Sequence, residues 1–130
     1  MNRNLLAFAM FALAGCAKPP GEVRVAVRGS VSFQGRAMAG GLVSFTPDHE
    51  RGCPGKIASA FIESDGTFRL ADAMAPGWYH IAFAEPPEWY GSDWERSFPA
   101  VLRRPDQSGV TRQVKPGVEN VFDFPIELRE

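Results

Sequence analysis

The chain has 130 residues, 45% of them hydrophobic and 22% charged, a balance that suits one globular domain and excludes disorder along most of its length. Lys plus Arg (14) and Asp plus Glu (15) nearly cancel, leaving a formal charge of −1, so the broad basic footprint of a nucleic-acid partner is absent. Two cysteines exclude a disulfide-dense scaffold and a four-cysteine zinc site, while 13 Gly and 11 Pro favour short strands joined by turns.

Residues 1–4 carry one charge, Arg3, and residues 5–13 (LLAFAMFAL) form an uncharged apolar run. A membrane-spanning helix needs about 20 such residues. The run instead fits the h-region of a secretory signal peptide. It ends in Leu13-Ala14-Gly15-Cys16, which resembles the lipobox of bacterial lipoproteins. That resemblance implies that the Cys16 thiol takes a diacylglycerol group. Leu13, Ala14 and Gly15 would then be the signal-peptidase recognition residues, with cleavage before Cys16. Residues 1–15 are thus expected to be a signal peptide and 16–22 a lipidated cysteine with a tether, since Pro19-Pro20-Gly21 cannot continue a helix. Each buried CH₂ contributes roughly 0.8 kcal/mol, so two or more acyl chains anchor stably. The expected location is the cell envelope. Ala17 stands where Asp would resemble an inner-membrane retention signal in double-membraned bacteria, which favours the outer membrane.

Residues 23–130 are expected to form one β domain. Val23, Val25, Val27, Val31 and Phe33 alternate with polar residues, the period-two mark of a half-buried strand, and Gly29 suggests a bulge or bend within it. Residues 35–41 read as a loop and 42–46 as a strand stopped by Pro47. A polar loop over 48–56 leads to a strand at 57–63. Ser64-Asp65-Gly66 then suits a tight hairpin turn into a strand at 67–70. After Ala75-Pro76-Gly77, residues 78–84 (WYHIAFA) read as a central strand with Tyr79, Ile81 and Phe83 on one face. Residues 85–106 are irregular and hold Pro86, Pro87, Pro99 and Pro105. Strands follow at 109–114 and 121–128, and Pro125 gives the last an edge position or a bulge. About seven short strands predict an all-β antiparallel sandwich.

Several pieces, in order, resemble carboxypeptidase regulatory-like domains. Residues 27–46 match a "V-x-G-x-V" strand, a Gly-rich turn and a "V-x-F-x-P" strand, with Val43, Phe45 and Pro47 in place. Residues 64–70 resemble the "D-x-x-G-x-F-x-L" hairpin with Asp65 one position nearer the Gly, and residues 76–81 resemble "P-G-x-Y-x-v". The tail, through Ser108, Thr111, Val114, Pro116, Gly117, Asn120, Phe122 and Phe124, resembles small bacterial lipoproteins carrying this domain. The resemblance covers about residues 22–128. It implies a transthyretin-like or immunoglobulin-like sandwich and no chemistry of its own.

No catalytic residue, metal ligand or cofactor is expected. His49-Glu50-Arg51-Gly52-Cys53 misses the H-E-x-x-H zinc motif at its last place, and Gly52 and Pro54 oppose the helix that motif needs. Gly55-Lys56 lacks the following Ser or Thr of a phosphate loop, and the ending Glu127-Leu128-Arg129-Glu130 lacks the Tyr-Arg-Gly-Ser of transthyretin-fold hydrolases. His80 is expected to be a packed or rim histidine. Cys53 reads as an incidental loop thiol, although Arg51 and Lys56 nearby would favour its thiolate.

The best candidate binding patch is Trp89, Tyr90, Trp94 and Phe98 on the irregular segment. As a lid these rings fold over the sandwich; as a patch they stack on sugars or anchor a peptide. Glu85, Glu88, Asp93 and Glu95 lie among them, and a carboxylate pair there would be the only equipment for glycoside hydrolysis. The function expected is therefore a lipid-anchored, non-enzymatic interaction or structural module. Its partners are membrane lipid through acylated Cys16 and an envelope protein or glycan, with a carbohydrate- or peptide-binding module using the aromatic loop as the alternative.

Overall fold

The computed structural model describes residues 24–128. The expected signal peptide, with Leu13, Ala14, Gly15 and Cys16, and the tether at 16–22 lie outside the described residues. Eight strands form two packed sheets: β1 (Val27–Phe33), β2 (Arg36–Ala37), β3 (Leu42–Pro47), β4 (Ala58–Phe61), β5 (Thr67–Arg69), β6 (Gly77–Ala84), β7 (Thr111–Val114) and β8 (Asn120–Ile126). The all-β sandwich expected from alternation is present. One sheet runs β4-β3-β6-β7, all antiparallel. In the other, β1 pairs with β2 and β5 on one side and with β8 on the other. The β1–β8 pair is parallel, from Val27↔Asn120 to Phe33↔Ile126, a detail that alternation alone does not reveal.

Period-two patterning decides the core. Val27, Val31 and Phe33 of β1, Val43 and Phe45 of β3, and Tyr79, Ile81 and Phe83 of β6 are buried. Facing sheets interdigitate through these residues. Phe45 sits at the centre, with ring centroids 6.1 Å from Phe68, 6.2 Å from Tyr79 and 6.1 Å from Phe122. Phe124 meets Phe83 edge-on at 5.3 Å.

One local expectation is corrected and another is borne out only locally. Gly29 makes neither bulge nor bend: β1 stays in register with β5 and β8 on both sides of it. A Cβ there would land on the Phe122 carbonyl, so glycine permits the close parallel approach of β8. Ser64-Asp65-Gly66 does form a turn, with Gly66 at φ +87°, but β4 and β5 belong to different sheets. The turn itself closes as a hairpin, the Gly66 N–H donating to the Glu63 carbonyl at 2.9 Å and the Glu63 N–H to the Thr67 carbonyl at 2.7 Å; beyond it the flanking strands part, and the chain crosses from one sheet to the other. Asp65 Oδ1 accepts from the Thr67 N–H (3.0 Å) and hydroxyl (2.6 Å). These bonds hold its carboxyl below the usual carboxylate range. Pro47 ends β3 from within, and Pro125 occupies the expected edge, since β8 pairs only with β1 among the described strands.

Candidate functional site

The irregular segment after β6 folds down on the sandwich as a lid. A 3-10 turn (Pro87–Trp89) and a short helix, α1 (Asp93–Ser97), carry the aromatic side chains. Phe33, at the end of β1 and wholly buried, is their hub. Its ring lies 5.8 Å from Trp89, 6.1 Å from Trp94 and 5.3 Å from Phe98. Trp89 and Phe98 are each 4% exposed, so neither presents a stacking face. Trp94 is half-buried and is covered on one side by the Arg36 guanidinium, 5.1 Å from its ring. Tyr90 alone of the four stands out, 61% exposed. The four rings thus do not form one open patch.

Three of the four acidic residues near the rings are engaged within this segment. Glu85 is buried, and its two carboxylate oxygens accept from Arg103: Nε to Oε1 at 3.0 Å, and Nη2 to Oε2. The guanidinium keeps this carboxyl below the usual carboxylate range despite burial, which is opposite to what a general acid needs. Asp93 pairs with Arg96. Glu95 Oε1 accepts from the Gly91 N–H at 2.8 Å, while Ser92 Oγ accepts from the Glu95 N–H at 3.4 Å, so Ser92 caps α1 and the Glu95 carboxylate reaches back to the residue before the cap. Glu88 is exposed.

On the outer face of the β4-β3-β6-β7 sheet, Asp48 gathers a polar cluster that sequence reasoning missed. It is 8% exposed. Its Oδ1 caps the 3-10 turn at His49–Arg51, accepting from the Glu50 and Arg51 N–H groups at 3.1 and 3.2 Å. Its Oδ2 lies 3.2 Å from His80 Nε2 and 3.3 Å from Arg51 Nε, and the Arg51 guanidinium covers the Trp78 ring at 4.6 Å. His80 is therefore a rim histidine that ties β6 to the loop after β3. The signal available in sequence was Asp48 four residues before Gly52, an N-cap followed by a left-handed C-cap.

Cys53 is not a surface thiol. It is 3% exposed and its Sγ lies 4.0 Å from the Pro76 carbonyl. His49 and Glu50 are exposed on the preceding turn, so the three residues of the near-miss zinc motif share no face. Among the described residues no group of three or more His, Cys, Asp or Glu converges.

A cleft of about 490 Å³ among the described residues has walls that include Arg24, Lys56, Ile57 and Asp72, with Tyr79 beneath. The Tyr79 hydroxyl donates to the Ala75 carbonyl at 2.7 Å. Burial raises its pKa far above the ordinary tyrosine value, so it stays protonated and acts as a structural bond. The walls hold charges of both signs and no nucleophile paired with a base. No family model, curated protein or solved structure matches this chain.

Proposed function

We propose that this protein is a membrane-anchored envelope lipoprotein. In this reading residues 1–15 are removed, Cys16 carries the lipid, and the sandwich is a non-enzymatic interaction or structural module, displayed in double-membraned bacteria on the outer membrane. The observation that carries the reading is Leu13-Ala14-Gly15-Cys16 at the end of an apolar run too short to span. One structural feature supports it. The acidic residues considered for hydrolysis, Glu88 excepted, are engaged in an ion pair or a cap. The sandwich also accommodates the pieces that resemble carboxypeptidase regulatory-like domains, and that resemblance supplies the domain type proposed here.

The alternative, glycan or peptide binding by the aromatic loop, retains only Tyr90 and the open side of Trp94, because Trp89 and Phe98 are buried. Metabolic labelling with an alkyne fatty acid tests the proposal. The wild-type chain is expected to take the label and Cys16→Ser is expected not to; an unlabelled wild type or a labelled variant overturns it.

A further inference from the structure

Strand β4 is an edge of the β4-β3-β6-β7 sheet, with no strand beyond it among the described residues. The Ile62 N–H donates to the Gly41 carbonyl at 2.9 Å, and the Ile62 carbonyl accepts from the Gly40 N–H at 2.7 Å. Backbone groups of successive strand residues point to alternate sides, so Ala60 and Ala58 also face β3, while Ile57, Ser59 and Phe61 face away. The backbone groups of these three residues have no partner among the described residues. Their side chains lie on the outer face, where Ile57 is 68% and Phe61 73% exposed. Ala58 and Ala60 pack inward.

Sheet edges are ordinarily blunted by charge, proline or extreme shortness. The other edges here follow that rule: Arg112 lies in β7, Asp123 and Pro125 in β8, Arg69 in three-residue β5 and Arg36 in two-residue β2. Within β4 (ASAF) there is neither charge nor proline.

We infer that β4 pairs with β4 of a second copy of this chain, antiparallel about a two-fold axis at Ser59, joining two sheets into one. The sequence is self-complementary in that register. Ser59 meets Ser59 as a hydrogen-bonded pair, and Ile57 of each copy meets Phe61 of the other, so two exposed apolar side chains cover each other twice. The charges do not oppose it. Lys56 and Glu63 flank the strand, both exposed and without ion-pair partners among the described residues. Antiparallel pairing sets Lys56 of one copy opposite Ile62 of the other and Glu63 opposite Gly55, so no like charges meet across the seam. Such an interface is isologous and closes at two copies. It does not depend on lipidation of Cys16.

The test uses the full chain extracted in mild detergent. In hydrogen-bonded antiparallel pairs Cα atoms are about 5.5 Å apart, so Ser59→Cys is expected to give a covalent dimer with a short bis-thiosulfonate cross-linker. The unsubstituted chain and Gln113→Cys, on the opposite edge, are expected not to. Ser59→Pro removes only an outward N–H and is tolerable on an edge; it is expected to keep the β-sheet circular dichroism of the wild type and to lower the dimer fraction at least tenfold. Phe61→Lys should do the same. Cross-linking at Gln113→Cys equal to that at Ser59→Cys, a folded Ser59→Pro that remains dimeric, or a wild type that is monomeric by native mass all overturn the inference, the last favouring a strand from a different protein.

Discussion

Replacing Phe33 with Ala should uncouple the lid from the sandwich. Phe33 is 0% exposed and its ring touches Trp89, Trp94 and Phe98 on the lid, so its removal leaves a cavity that both β1 and the lid would have to close. Truncating a buried Phe to Ala costs about 3–5 kcal/mol. The upper part of that range applies here, because three aromatic contacts disappear along with the buried area. For a folded body of roughly a hundred residues, a loss of about 4 kcal/mol lowers Tm by roughly 15–20 °C. The assay is thermal unfolding followed by near-UV circular dichroism, with Tyr90→Ala as the control. Tyr90 is 61% exposed, and a surface truncation of that kind should change stability by no more than about 0.5 kcal/mol. Equal destabilisation by the two substitutions, or a Phe33→Ala loss below about 1 kcal/mol, would refute the account of the segment as a lid pinned on Phe33.

Three further outcomes follow from the same packing. Gly29→Ala would drive a methyl into the Phe122 carbonyl and should separate β8 from β1, read as loss of cooperative unfolding and of amide exchange protection in both strands. Asn120 is buried; its Nδ2 donates to the Lys115 and Val118 carbonyls at 3.0 and 3.1 Å, and its Oδ1 accepts from the Lys115 N–H at 2.9 Å. Asn120→Ala should therefore cost about 2–3 kcal/mol in a denaturant titration, by leaving backbone groups of the 115–120 turn without partners. Glu85 has a folded pKa held below its unfolded value by Arg103. The pair's stabilisation is thus fully present above the unfolded carboxylate range and is lost as pH falls through the folded value. Glu85→Gln should cost about 1–3 kcal/mol at neutral pH, and its stability should fall less steeply than the wild type's between pH ~4.5 and more acid conditions.

Much of this fold was legible because alternation reports burial directly. The inward sets Val27/Val31/Phe33, Val43/Phe45 and Tyr79/Ile81/Phe83 are the ones a period of two selects. Pairing was less legible. A parallel β1–β8 contact joins residues more than ninety positions apart, and nothing local marks it except the small residue Gly29. The Asp65-Gly66 hairpin turn was legible because turn chemistry is local, whereas the sheet each flanking strand joins is decided by the whole sandwich. In the candidate site, Ser92-x-x-Glu95 carried a readable helix-start signature for α1 amid residues otherwise taken as irregular. The Glu85–Arg103 pair spans 18 positions without periodic signature. Cys53 looked exposed because its neighbours are polar; it is buried because the loop turns inward after Gly52.

Mass measurement of the intact chain purified from its native membrane tests the central claim most directly. The account predicts loss of residues 1–15 and a mass increment of two or more acyl chains on the peptide that begins at Cys16. A chain that retains Met1 and carries no added hydrocarbon would contradict it.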